Sequence, residues 1–223
     1  MFGMIWALFQ ACFSKEHFLN LIQRHYPKGS LEYLLIKDAY EVAEEEFRDI
    51  KRLTGDPYIS HLRITAVLVF CATHVVGIRD AGLIAAALLH DLIEDFPHRW
   101  ETEMVYERFG VMVLLYILDV SKPGLHLYDY NKDARDIAYR LHLCLTEFES
   151  LLLKICDNMQ NLTTLWAMPL WKQERVIKLA LEFYLVLAKR NDVFPGIYRA
   201  VILYAQVRYW ICIVTSRLQI ARC

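Results

Sequence analysis

Proline and glycine are scarce in this 223-residue chain, at six and eight residues, so connections are few and regular structure is plentiful. An excess of either charge is missing too: 25 Lys and Arg stand against 26 Asp and Glu, a net charge of -1. That balance argues against a bulk nucleic-acid binder and still leaves room for a local basic pocket. The six cysteines, Cys12, Cys71, Cys144, Cys156, Cys212 and Cys223, form no CxxC pair and no regular spacing. A disulfide framework and a zinc-thiolate site are therefore disfavoured, and a reducing cytoplasm is the expected setting. The uncharged opening run, Met1 to Phe13, lacks the basic start of a signal peptide. It also falls short of the roughly 20 residues that span a bilayer. The apolar stretch Val193 to Ser216 is interrupted by Arg199 and Arg208 and reads as a buried or partner-facing helix. No transmembrane segment is expected, and two greasy termini are compatible with a homo-oligomer.

What is present is a large apolar fraction, 56% against 23% charged, which excludes an intrinsically disordered chain. Its rhythm is helical. Asp38 can cap a helix to about Leu53, with Ala39, Val42, Ala43 and Phe47 inward and Glu44, Glu45 and Glu46 on a solvated face. Gly55-Asp56-Pro57 breaks the chain, and Ser60 is placed to cap an apolar helix from Ile64 to Val76. Ala81 to Asp95 reads as one helix crossing a core, followed by Thr102 to Phe109 and Val111 to Val120. After a polar, aromatic loop, Leu125 to Lys132, a helix resumes from Asp133 to Leu145. Thr146 and Glu149 then form a capping box that opens a helix to about Leu165. Glu174 to Arg190 is amphipathic, with Val176, Leu179, Ala180, Phe183 and Leu187 on one face. No alternating strand pattern persists. The expectation is one all-α domain: residues 1–35 an appended helical segment, 36–195 the domain proper, and 196–223 an apolar helix packing on the domain or on a partner.

Charged and ligand-type residues inside apolar helices are the informative anomaly, because a buried charge needs a partner or a metal. His90 and Glu94, and Asp91 and Asp95, are each spaced four residues apart, which gathers all four on adjoining faces of the last turns of their helix. Asp157 follows the apolar run Leu151 to Leu153 and has Asn161 one turn on, while His61 follows directly on the Gly-Asp-Pro-Tyr turn. Two imidazoles and two carboxylates make a mixed nitrogen and oxygen set that suits Mn²⁺, Fe²⁺ or Zn²⁺ better than Ca²⁺ or a soft metal. A capping histidine and a paired structural acid are the plain readings of His61 and Asp157 taken singly.

The order of these pieces resembles a known family. Arg52 to His61 (RLTGDPYISH), His90 to Asp95 (HDLIED) and Lys154 to Leu162 (KICDNMQNL) are similar to the HD-type hydrolase domain of the RelA/SpoT alarmone enzymes. Arg108-Phe-Gly, Val120-Ser-Lys122 and the helix Lys172 to Arg190 match as well, so that the likeness covers about residues 39 to 195. Because only some thirty residues follow it, the chain looks like a small alarmone hydrolase. The resemblance implies an all-α HD-type phosphohydrolase fold and one Mn²⁺ held by His61, His90, Asp91 and Asp157. It implies removal of pyrophosphate from the ribose 3′ position of (p)ppGpp, giving GDP or GTP. Glu94 and Asp95 would position or deprotonate the attacking water, and Arg52, Thr54, Asn161 and Thr164 would touch the nucleotide. The chain departs from the family at Leu53, usually Lys, at Asn158, usually Arg, and at Gln160, usually His. Those departures bear on the base and 5′-phosphate preference, so an adenosine alarmone is an alternative substrate. Two further readings are an HD-type phosphohydrolase acting on another nucleotide and a non-catalytic helical regulatory domain.

Overall fold

Apolar residues at helical spacing fold as helices throughout residues 14–220, the part of the chain that the computed structural model describes. The opening run Met1 to Phe13 and the last three residues lie outside it. Among the described residues there is no strand, only an isolated bridge between Lys51 and Pro57. The all-α expectation is borne out. The helices divide into two compact units. Of the described residues, those from Ser14 to Lys51 with Pro57–Leu153 form the first, and Arg52–Asp56 with Lys154 to Ile220 form the second.

The first unit holds α1 (Lys15–Gln23), α2 (Leu31–Glu46), α3 (Tyr58–Val76), α4 (Ala81–Leu89), the single turn α5 (Leu92–Asp95), α6 (Thr102–Phe109), α7 (Val111–Val120) and α8 (Lys132–Leu143). It ends within α9 (Phe148–Thr164). Helix α4 is its axis. Every residue from Leu83 to Leu89 is fully buried, because α2, α3 and α7 pack around it, and a helix apolar on all sides has no other stable place. Asp80 caps α4 by accepting from the Leu83 amide at 3.0 Å and also accepts from the Tyr116 hydroxyl of α7 at 2.6 Å. A Cβ at Gly82 would meet that Asp80 carboxylate at 3.1 Å and Val113 at 3.7 Å, so glycine permits the close approach of α7.

The second unit takes α9 from Lys154, a 3₁₀ turn (Leu165–Ala167), α10 (Leu170–Leu179), a π turn (Ala180–Tyr184), α11 (Leu185–Arg190) and α12 (Pro195–Ile220). Gln173 is buried, and its amide donates to the Met168 carbonyl at 2.7 Å, which closes the turn before α10. The buried face is Ile177, Ala180, Tyr184, Leu187 and Ala188, which includes the expected Ala180 and Leu187, whereas Val176, Leu179 and Phe183 are not fully covered. By length and composition α3 and residues Pro195–Thr215 of α12 could cross a membrane. Helix α3 is mostly buried in its own unit, as a core helix is.

Several boundaries differ from expectation. Helix α2 starts at Leu31 because the Ser30 hydroxyl accepts from the Tyr33 amide at 3.2 Å. Asp38 lies inside the helix and instead takes both guanidinium nitrogens of Arg108 at 2.7 and 2.9 Å. Helix α3 starts at Tyr58, after Pro57, so Ser60 is inside it. The acidic run is not simply solvated: Glu44 pairs with Lys15 at 2.6 Å, and the largely buried Glu46 carboxylate with Arg99 at 3.0 Å. These assignments separate two serines. Ser30→Ala should lower stability by about 1 kcal/mol through the lost cap, whereas Ser60→Ala should stay within about 0.5 kcal/mol of the parent, both read from urea unfolding.

Candidate metal centre and nucleotide site

The first unit brings two imidazoles and a carboxylate together. His61 sits in the first turn of α3 and His90 at the C-terminal cap of α4, and both are buried. The expected single helix Ala81 to Asp95 breaks here. His90 and Asp91 form a turn, after which α5 resumes for one turn. In that turn Asp91 Oδ2 lies 3.2 Å from His90 Nε2 and 3.5 Å from His61 Nε2. It also accepts from the Tyr58 hydroxyl at 2.8 Å. The two imidazole rings meet edge to face, 5.2 Å between centroids.

The other nitrogen of His90 decides how the ring can act. Its Nδ1 lies 3.0 Å from the Ala87 carbonyl oxygen. A carbonyl can only accept, so Nδ1 carries the hydrogen and the neutral ring keeps its lone pair at Nε2. That lone pair and Asp91 Oδ2 then face one another as electron-rich atoms, unless a proton or a cation is shared between them. A backbone carbonyl behind a histidine is also the usual way of orienting a metal-ligating imidazole. By donor chemistry the residues fit a divalent transition ion.

In the second unit Asp157 is buried on α9 and accepts from Lys154 Nζ at 3.0 Å and from Asn161 Nδ2 at 2.7 Å. By residue type and burial, His61 and His90 are candidate metal ligands in the first unit and Asp157 is one in the second. Arg52 reaches Asn161 Oδ1 at 2.8 Å and Thr164 Oγ1 at 3.2 Å, so three of the four expected nucleotide contacts come together. Thr54 does not join them, because its hydroxyl donates to Asp56 within their own turn at 2.8 Å.

Glu94 and Asp95 were expected inside an apolar helix. Both are exposed, because the break at His90 puts them on a separate turn beyond the core helix. Glu94 Oε1 accepts the Lys122 amide at 2.5 Å. Asp95 is pushed up to about 6 by loss of hydration and then by the charges of Asp91 and Glu94, against the pull of His90 and a hydrogen bond from Tyr58.

Glu94 stands at the edge of a cavity of about 720 Å³ that sequence reasoning missed. Lys122, His126, Arg135 and His142 line it, four groups that carry or can take positive charge. Asp136 holds Lys122 at 3.1 Å and Arg135 at 3.7 Å, and Asp119 holds His142 at 3.4 Å. The only signal in the sequence was the Ser121-Lys122 match and the polar, aromatic run after it. The others are spread over a 3₁₀ turn (Leu125–Tyr128) and α8 with no recognisable spacing.

Comparison with known proteins adds to this geometry. The family model described as HD domain matches residues 39–194. The chain belongs to the HD domain family. It is 35% identical over 184 residues to a guanosine-3′,5′-bis(diphosphate) 3′-pyrophosphohydrolase of Aquifex aeolicus, covering 81% of this chain and 24% of that one. Against the bifunctional (p)ppGpp synthase/hydrolase SpoT of Escherichia coli it is 30% identical, covering 78% and 24%. A probable GTP diphosphokinase of rice chloroplasts is 34% identical, with 70% and 22% covered. The chain thus spans about a quarter of the length of these relatives. A solved structure of a metazoan SpoT ortholog, described as hydrolyzing ppGpp, matches with a TM-score of 0.55 at 24% identity. It covers 82% of this chain and 96% of that one, a likeness of fold.

The raised Asp95 has a consequence for the metal-free protein. An unfolded chain ionises it near 3.8 and the folded one near 6, so ionisation weakens the fold, fully above about 6 and not at all below 3.8. Asp95→Asn should therefore raise the melting temperature of the metal-free protein at pH 7 and leave it unchanged at pH 3.5. A divalent cation beside Asp91 should shrink the gain at pH 7, because its charge offsets the like charges around Asp95. Melting curves with and without chelator check both.

Proposed function

We propose that the chain hydrolyses a nucleoside 3′-diphosphate, the guanosine alarmone (p)ppGpp above all, releasing pyrophosphate and GDP or GTP. The observation that carries this reading is the paired arrangement in the first unit. Two buried imidazoles share a carboxylate at 3.2 and 3.5 Å, and Glu94, three residues on, edges a cavity lined by Lys122, His126, Arg135 and His142. Donors for a cation beside a pocket for anions are what attack on a polyphosphate needs. The names of the relatives support the substrate class.

His61, His90, Asp91 and Asp157 would hold the metal, for which Mn²⁺ is our reading, with Fe²⁺ and Zn²⁺ compatible with the same donors. When bound, such an ion supplies polarisation of a phosphoryl oxygen and a water acidic enough to ionise near neutral pH. The protein's own groups do the rest. Ala87, through its carbonyl, holds the His90 ring in the ligating tautomer. Glu94 and Asp95 orient the attacking water and take its proton. Lys122 and Arg135 neutralise the leaving pyrophosphate, and Arg52, steadied by Asn161 and Thr164, meets the base or ribose with its planar guanidinium. We place the enzyme in the cytoplasm on the strength of its cysteine usage.

A second reading concerns the base. Leu53 is 69% exposed where the alarmone hydrolases usually carry lysine, which removes a cation next to Arg52. An adenosine alarmone, pppApp, is the corresponding alternative substrate.

Purified protein incubated with Mn²⁺ and ppGpp should yield GDP and pyrophosphate, and EDTA should abolish both. Faster release from pppApp would select the adenosine reading, and no product from either would remove the alarmone assignment. Asp91→Ala and Asp157→Ala should lose metal and activity together. Glu94→Gln and Asp95→Asn should keep the metal and lose turnover by about 100-fold. Lys122→Ala and Arg135→Ala should keep the metal and raise KM by about tenfold or more.

A further inference from the structure

Helix α12 carries more apolar surface than its own unit covers. Tyr198, Ile202 and Ala205 are buried along one face, where the helix packs on α10 and α11. On another face Ile197, Ala200, Tyr204, Val207, Ile211 and Val214 are exposed, the five larger ones by 47% to 58%. From Ile197 to Val214 their spacing alternates three and four residues without a slip. A straight helix drifts only about 20° per seven residues from such a repeat, so the six side chains form one continuous seam. No charged residue falls in it. Arg208 lies beside the seam with its guanidinium over the Trp166 ring of its own unit, 5.2 Å from the centroid.

A strict two-in-seven apolar repeat is the pattern by which one helix meets another. A lipid surface requires no such register, and a bilayer-spanning helix could not keep Tyr198, Ile202 and Ala205 packed against its own unit. We propose that this seam is the interface with a second copy of the chain, two α12 helices lying antiparallel about a two-fold axis between Tyr204 and Val207. The size of the side chains sets the direction. In the antiparallel pair Tyr204 faces Val207, Ala200 faces Ile211 and Ile197 faces Val214, larger against smaller each time. In a parallel pair Tyr204 would meet Tyr204, and Ala200 would meet Ala200 across a void. The antiparallel seam is also self-complementary, as a two-fold interface must be. Leu203 and Trp210, 52% and 62% exposed, flank it on one edge and close over their counterparts.

Sedimentation of the full chain from about 1 to 100 µM should show a dimer. Val207→Glu and Tyr204→Lys alone should each weaken it by about 100-fold or more, because each buries two unpaired charges. Far-UV circular dichroism should be unchanged, since both positions are exposed within one chain, and melting should lose its dependence on protein concentration. Combined on one chain, Tyr204→Lys and Val207→Glu should restore the dimer to within about tenfold, because antiparallel pairing sets the introduced ammonium of one copy against the introduced carboxylate of the other. A parent protein monomeric at 100 µM overturns the proposal, as does a dimer that survives Val207→Glu. A double variant no tighter than the singles overturns the antiparallel pairing. Flotation of a monomeric parent with phosphatidylglycerol vesicles would assign the seam to lipid instead.

Discussion

The first unit depends on the junction of His61, His90 and Asp91, which a shared proton or cation completes. An imidazole buried among leucines and alanines cannot keep its hydrogen-bonding capacity idle without a cost of about 1–3 kcal/mol, and an ionised carboxylate alone there costs more. A proton or cation held among the three is the remedy for all of them. The Asp91 carboxylate touches both imidazoles and the Tyr58 hydroxyl, and His90 sends its other nitrogen to Ala87. Helix α3 must therefore present its first turn to the end of α4. Tyr58 stacks on Phe47 from the end of α2, 4.7 Å between centroids, which extends the same constraint to a third helix. A site for a cation and the junction of three helices are the same few atoms.

The break after Leu89 follows from that constraint. Had α4 run unbroken to Asp95, residues 90, 91, 94 and 95 would share two adjoining faces of one helix, and four polar groups would compete for the same core. The turn at His90 and Asp91 divides them. His90 remains inside, Asp91 is partly covered, and Glu94 and Asp95 emerge on a separate turn. Ligation calls for groups removed from water, and proton transfer calls for groups that reach it. The break places covered and water-reaching polar groups within six consecutive residues, as the proposed roles would need.

Legibility in the sequence followed the range of the interactions. Helices α6 and α7 were placed to the residue because Gly110 and Ser121 bound them locally. The inward set of α2, Ala39, Val42, Ala43 and Phe47, was also legible, since helical period alone selects it. Asp38 and Ser60 misled as caps because each is a good capping residue. What decides the matter is the pairing of Asp38 with Arg108, seventy positions away, and the position of Pro57. From α10 through α11 the expected Ala180 and Leu187 are buried, while Ile177 and Tyr184 take the inward places expected of Val176 and Phe183. His61, His90 and Asp157 were legible as anomalies, because buried ligand-type residues in apolar surroundings are rare. Arg135 and His142 were not, because on an exposed amphipathic helix a cation carries no mark of the cavity it lines.

Asn158 shows how the second unit accommodates a departure from the alarmone family. A large cation at this position would have to share space with the fully buried Tyr198, whose hydroxyl donates to Asn158 Oδ1 at 2.6 Å. The short amide instead ties α9, one residue after Asp157, to the first turns of α12. That bond helps to fix the helix carrying Asp157. Leu53 and Asn158 thus supply no cation where the alarmone hydrolases usually carry one, while in the first unit Lys122 and Arg135 line the cavity. On the proposed reading, phosphate and base would be met by different side chains, so that changes at Arg52, Leu53 and Asn161 would alter base preference and leave Lys122 and Arg135 as they are.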